Sequence, residues 1–514
     1  MKNKHFTKSE DSFKLEYCAS VVRIGELKPI EGSDFLAKTL VNGFSIVVRK
    51  DEFTEGELAF YAPIETQLNE DFLKANNLFD LSNYDKNANA VEVAKNKVQI
   101  ESLKGKLERL KKEGNEEEVE ATERALEDLQ NATRGMCGFF THTRRVKLIN
   151  LRKTPSMGFL FKLTTLMKWK PELADVNMDE IEGEDFDTVD GELFIKAYVP
   201  YVPESNRRGG RRNRTIKNKQ FELLEEGQYT THYDTQQLNR SMNRFDPDTE
   251  VAISVKIHGS LGQYSRVLVR RPHDFGNKLF NKVYRWIVPE KWQKMDRNYE
   301  FVYGSHRVIK NKDINPAADN GGFYGTDIWE KYVPILKPYI EDGMVVYGEI
   351  FGYIDNEKMV QKEYDYGCEP GTSRYMPYRI YQNNPDGTKR EWEVTEVRDW
   401  TLDLIEKHPE LKEHLFPIDI IYVGKLGDLY QKVDRETHWH ENVLEEMKKE
   451  KLFFMEKNEP LCKYHKVPRE GIVIRIMNDP IAEAFKLKCL NFLKRERDLV
   501  TEGEVDVEMA ENFM

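Results

Sequence analysis

Lys256 follows Val251-Ala252-Ile253-Ser254-Val255, a run of β-branched and small residues that reads as a buried strand, and precedes Ile257-His258-Gly259-Ser260. A lysine at a strand end beside a glycine turn can present its amine to a ligand, and the glycine lets backbone approach a phosphate closely. Such an amine is a nucleophile when burial or neighbouring cations lower its pKa. Alone, the same residues also describe a solvated lysine at a strand end. Downstream, in order, stand Ser305-His306-Arg307, Tyr347-Gly348-Glu349-Ile350-Phe351-Gly352, Glu470-Gly471-Ile472-Val473-Ile474-Arg475 and Phe485-Lys486-Leu487-Lys488. Glu349 interrupts an apolar run, Val345 to Phe351. A buried carboxylate is costly unless paired or hydrogen-bonded, which favours a ligand-facing role for it, and Glu470 precedes its own apolar strand in the same way. Lys486 and Lys488 are two apart on a strand, so both amines line one surface.

In order and residue type, these segments resemble motifs I, Ia, III, IV and V of the covalent nucleotidyltransferases, the superfamily of ligases and capping enzymes. The resemblance implies attack of the Lys256 amine on the α-phosphate of ATP, giving a lysyl-nucleotide and pyrophosphate. In-line displacement at phosphorus relies on positioning and on neutralising charge, which explains the surrounding cations. It further implies that Val255, Ile257, Gly259 and Ser260 flank the nucleotide and that Glu349 contacts the ribose hydroxyls. Arg307 would engage phosphate or ribose through its planar donor fork. Glu470 would hold a divalent metal, Mg2+ or Mn2+, since hard oxygen ligands suit it. Of the two motif V lysines, Lys486 is expected at the phosphate and Lys488 near the nucleotide.

His258, where an acidic residue would mark other branches, resembles the RNA ligase 2 group of nick-sealing RNA ligases, as do Gln361-Lys362 and Asp365-Tyr366-Gly367. Gln361 and Lys362 would then lie near the nucleotide or the RNA end. Tyr378-Arg379-Ile380-Tyr381 is the candidate for motif IIIa, in which one of the two tyrosines, Tyr381 being the one chosen, either stacks on the purine or fills the core. Val22 to Leu27 and Phe44 to Arg49 resemble the barrel of the branch with an N-terminal OB domain, the Deinococcus-type RNA ligases. The activity implied is ATP-dependent joining of 3′-hydroxyl and 5′-phosphate RNA ends at nicks in duplexes, through a lysyl-AMP and an adenylylated 5′ end. Two alternatives are an mRNA-capping guanylyltransferase, which His258 and the N-terminal barrel disfavour, and a non-catalytic RNA-binding protein with a decayed ligase domain.

The elements that must position these residues read as an α+β chain. An N-terminal OB-type β-barrel with a helical-hairpin insertion precedes a covalent nucleotidyltransferase (ATP-grasp-like ligase) domain of antiparallel sheets and helices. Strands are expected at 18–24, 35–40, 44–49, 58–62, 145–149 and 158–161, with Asn42-Gly43 as a hairpin turn. Residues 90–132, dense in Lys and Glu with apolar residues at helical spacing, are the inserted hairpin. Domain limits are 1–205 for the barrel, 206–225 for a basic linker, 226–495 for the ligase-like domain and 496–514 for an acidic tail. In the linker, Arg207, Arg208, Arg211 and Arg212 either contact RNA phosphates or keep a tether soluble.

The net charge of −11 excludes a uniformly basic nucleic-acid coat but not a local basic stripe. Five scattered cysteines without C-x-x-C spacing fit a reducing compartment, and nothing in the first residues resembles a signal peptide. A cytoplasmic monomer with no membrane attachment, acting on RNA or a nicked RNA-containing duplex, is the expectation.

Overall fold

The structure is a computed structural model that describes residues 4–9, 17–113, 115–198, 219–229, 235–289, 292–306, 308–316, 318, 324–384, 387–436, 438–449, 458–479 and 483–501. The chain divides into two compact units, Met1–Tyr198 and Val199–Met514.

In the first unit, strands Leu36–Val41 and Phe44–Arg49 form a hairpin, Val41 opposite Phe44. Asn42 and Gly43 have φ of 47° and 69°, the left-handed pair that a two-residue turn between twisted strands requires. Ala19–Arg23 and Leu58–Pro63 pair antiparallel, and Gly158–Phe161 adds to the latter's other edge. The strand expected at 145–149 begins only at Ile149. Upstream of it, residues 144–146 run antiparallel beside 65–68 for one bridge only, Arg145 opposite Gln67, with Val146 exchanging backbone hydrogen bonds with Glu65 and Thr66 and the Leu68 N–H donating to the Arg144 carbonyl. Phe6, Phe60, Phe72, Phe161, Phe186 and Phe194 dominate the core beneath.

The inserted hairpin consists of α1, Ala90–Glu113, and α2, Glu116–Gly135. Asn115 caps α2 by accepting from the Glu118 N–H, and Lys111 pairs with Glu123 across the hairpin at 2.8 Å. Among the residues of α1 only Val93 and Leu110 are buried, so most of its surface is solvated.

The second unit holds two five-stranded sheets. Its strands are β1 (Glu250–Lys256), β2 (Ser260–Pro272), β3 (Met295–Gly304), β4 (Met344–Gly352), β5 (Ser373–Asn383), β6 (Lys389–Glu391), β7 (Ile420–Lys425), β8 (Gly471–Ile476) and β9 (Ala484–Lys488). One sheet runs from the short strand Gln236–Gln237 through β9, β8 and β1 to β7, and the other runs β3, β2, β4, β5, β6. All nine residues of β4 are buried, as a central strand covered on both faces must be. Helix α3, Lys278–Ile287, lies between β2 and β3, and helix α4, Leu490–Thr501, follows β9. The segment expected as a tail from residue 496 therefore continues as helix to Thr501. Among the described residues no helix is long and apolar enough to cross a membrane.

Candidate active site

Strand β8 lies between β1 and β9, with Lys256 opposite Gly471 and Gly471 opposite Lys488. The next rung holds Ser254, Val473 and Lys486, and the one beyond it Ala252, Arg475 and Ala484. Residues directly opposite each other point to the same face, so Lys256, Lys486, Lys488 and Arg475 share one face. Val255, Ile472, Ile474, Phe485 and Leu487 face the apolar core on the other. Gly471 is needed between the two lysines, since a Cβ there would stand 2.1 Å from the Leu487 carbonyl oxygen.

Glu470, one residue before β8, brings the charges together. Its Oε1 lies 2.7 Å from Lys256 Nζ and 3.6 Å from Lys488 Nζ, and its side chain is 1% exposed. Burial acts to raise the pKa of this carboxyl, but the charges of Lys256, Lys488 and His258 outweigh it and hold the pKa at about 2. The group is therefore an anion at neutral pH. Its Oε2, 4.0 Å from His258 Nδ1, is buried and accepts no hydrogen bond among the described residues. No three His, Cys, Asp or Glu side chains among those residues converge as a metal site of their own.

The turn between β1 and β2 is held by the other sheet. Gly259 N–H donates to Glu349 Oε1 at 3.1 Å, and the Gly259 carbonyl accepts from Gln361 Nε2 at 2.8 Å. A Cβ on Gly259 would meet the Ile350 carbonyl oxygen at 2.3 Å and Glu349 Cγ at 2.7 Å, so only glycine allows this approach. Further along, Arg475 Nη2 donates to the Tyr378 carbonyl of β5 at 2.9 Å, joining the two sheets. Burial, with the nearby charge of Arg379, pushes Arg475 down to about 10.

A strap at 364–366 ties this turn to Glu470. Tyr366 Oη accepts from the His258 N–H at 2.7 Å, and Tyr364 Oη donates to the Pro468 carbonyl at 2.9 Å. Between them, the fully buried Asp365 accepts from the backbone N–H groups of Gly367, Lys463, Tyr464 and His465 and contacts His465 Nδ1. Burial opposes its ionisation, yet those bonds keep its pKa below the carboxylate range. Arg469, next to Glu470, forms a buried two-point pair with Glu459 at 2.7 and 3.0 Å. The Glu459–Arg469 pair carries no chemistry-bearing spacing, so sequence patterns pass over it, whereas Asp365, picked out in the sequence with Tyr366 and Gly367, serves as a structural hub.

The residues singled out in the sequence separate as follows. Lys256, Lys488, Glu470 and His258 come together, with Glu349 and Gln361 at the adjoining turn. Lys486 sits one rung along the sheet. Val255 and Ile257 bury their side chains, and the Val255 N–H already donates to the Asp419 carbonyl, while Ser260 opens β2 opposite Ile350. Gln361 is buried against the turn, whereas Lys362 is exposed. Tyr381 is a core aromatic in a cluster with Val345 and Tyr347, whose hydroxyl reaches its own at 3.3 Å. The half-buried Tyr378 packs against two clusters at once. Arg307, Arg207, Arg208, Arg211 and Arg212 lie outside the described residues.

An OB-fold domain family matches residues 18–97. An RNA ligase of Naegleria gruberi, as a variant with ATP and manganese, superimposes with a TM-score of 0.50 at 14% identity, covering 94% of this chain and 100% of its own. The chain has the fold of an RNA ligase. An apo variant of the same protein gives a TM-score of 0.50 at 14% identity over 93% of this chain and 98% of its own. A variant with AMP and manganese gives the same score and identity over 93% and 99%. This RNA-ligase fold is thus followed along nearly the whole chain, from the OB-fold unit through both sheets. No curated protein matches the chain in sequence.

Proposed function

We propose that the chain is an ATP-dependent RNA ligase that joins 3′-hydroxyl and 5′-phosphate ends. The observation that carries the reading is the Lys256 amine at a strand end, 2.7 Å from a buried carboxylate and on the same rung as Lys488. A solvated strand-end lysine would stand in water, whereas the Lys256 side chain is 19% exposed and meets a carboxylate that is 1% exposed.

In the proposed sequence the Lys256 amine, its proton lost to solvent, forms a bond to the α-phosphorus of ATP. The bond from that phosphorus to the bridging oxygen breaks, and pyrophosphate leaves with the electron pair. A 5′-phosphate oxygen of RNA then attacks the same phosphorus and the bond to Lys256 breaks, regenerating the amine. Finally the 3′-hydroxyl attacks the activated 5′-phosphorus, its proton goes to solvent, and AMP leaves. Lys486 and Lys488 neutralise phosphate oxygens, Glu349 faces the ribose, and Arg307 supplies a guanidinium to phosphate or ribose. The orphaned Glu470 Oε2 fits a hard divalent cation, and magnesium or manganese held there would offset phosphate charge. Tyr378, half-buried between two clusters, is better disposed than Tyr381 to meet the purine. The finer reading is nick sealing in RNA-containing duplexes, as in the Deinococcus-type branch, by a monomer in the cytoplasm. Lys362 and the arginines at 207, 208, 211 and 212 would contact the RNA backbone.

The test is incubation with magnesium and α-labelled ATP, in parallel with α-labelled GTP, followed by a denaturing gel. A covalent band from ATP alone, absent from Lys256→Ala, is expected. GTP labelling would point to capping chemistry, and no label from either nucleotide would move the assignment to RNA binding without catalysis.

A further inference from the structure

We infer that Glu496 is a positioning residue that acts through Lys488, an inference resting on the ligase reading above. Helix α4 starts where the site ends: the Cys489 N–H donates to the Glu470 carbonyl at 2.8 Å, and the Leu493 N–H donates back to the Cys489 carbonyl at 3.0 Å. Phe492, Arg495 and Glu496 are spaced three and four apart and so share one face of the helix. That face is turned to the site.

Phe492 is buried, its ring meets the His258 ring edge-on at 5.0 Å, and Lys488 Nζ lies 5.0 Å from its centre. Arg495 pairs with Glu363 at 2.5 Å, fastening α4 beside the strap. Glu496 directs both oxygens at Lys488 Nζ, at 3.1 and 3.4 Å. Both side chains are about one-fifth exposed, Lys488 at 21% and Glu496 at 22%, so solvent and salt screen the pair less than a surface pair.

Glu470 Oε1 is shared, with Lys256 at 2.7 Å and Lys488 at 3.6 Å. Glu496 draws the Lys488 amine toward itself, leaving Lys256 as the closer partner of Glu470. Without that second carboxylate, Lys488 closes on Glu470 and competes there with Lys256 and any bound cation. Lysine is a point charge on a flexible stem, so its position is set by the acceptors around it. In the sequence Glu496 opens the stretch expected as an acidic tail, 496–514, and no residue pattern there ties it to Lys488.

The experiment is single-turnover transfer of label from α-labelled ATP to the full-length chain, as a function of ATP concentration. Wild type is compared with Glu496→Gln, Glu496→Asp, Lys488→Ala and the Lys488→Ala/Glu496→Gln pair, and each is checked by a thermal melt. Glu496→Gln is expected to lower the rate at saturating ATP by between about tenfold and about a hundredfold, the usual effect of a misplaced reacting group. The half-saturating ATP concentration should change little, and Glu496→Asp should recover part of the loss. In the Lys488→Ala background Glu496→Gln should have no further effect, because a residue acting through another is silent once that one is gone. A wild-type rate for Glu496→Gln, or the same drop with and without Lys488, overturns the inference while leaving the ligase reading in place. Absence of label on the wild type overturns both.

Discussion

Glu470 is the residue on which the candidate site turns, because it is the buried anion that Lys256, Lys488 and His258 surround. Its pKa of about 2 lies below the ordinary 4.5, so its ionisation stabilises the fold at pH above about 4.5. That contribution is lost as pH falls from there toward 2, where the folded-state group takes up a proton. The difference corresponds to a stabilisation on the order of 3 kcal/mol. Glu470→Gln should therefore flatten the fall in urea-unfolding free energy across that window. An unaltered pH dependence in the variant would assign the acid sensitivity to other carboxylates. Glu349 differs in kind: its Oε1 accepts from the Gly259 N–H and so helps to hold the turn behind Lys256.

At the scale of elements, the strap at 364–366 decides where the turn and Glu470 stand relative to each other. It binds the turn through Tyr366, the lead-in to Glu470 through Tyr364, and the 463–465 loop through Asp365. Asp365→Asn replaces an acceptor-only carboxylate with a group carrying two donors among several N–H groups, and is expected to destabilise the chain by about 2–4 kcal/mol. A denaturant midpoint equal to wild type would show that the loop holds without it. Helix α3 teaches the opposite lesson about patterns. Leu279, Val283, Trp286 and Ile287 follow helical spacing as a core-facing stripe would, yet they are 72%, 44%, 85% and 64% exposed. The spacing is that of a helix, and only the surroundings could say that the described residues leave this face exposed.

At the scale of the whole molecule, the chain carries a net charge of −11, so attraction to RNA has to come from local basic segments. The densest of these is Arg207 to Arg214, outside the described residues. Neutralising Arg207, Arg208, Arg211 and Arg212 together is expected to weaken RNA binding and reduce the slope of log affinity against log salt, by about 0.7 to 0.9 for each phosphate no longer neutralised. An unchanged slope, measured across a salt titration, would leave the segment as a tether.

The order of Lys256, Glu349, Glu470, Lys486 and Lys488 along the chain, the strand character around each, the Asn42-Gly43 hairpin and the helical insertion were legible in the sequence. Each depends on local backbone preference, on alternation, or on residue types within a few positions. The pairing of Lys256 with Glu470 was not, nor was the choice of Lys488 over Lys486 as the amine nearest that pair. Residues far apart in the chain meet there through strand register, and a shift of one residue would turn each lysine to the opposite face. The Asp365 hub, the Glu459–Arg469 pair and the Glu496 contact also belong to the tertiary structure alone. A buried carboxylate is distinguished from a solvated one only by the donors that folding brings to it.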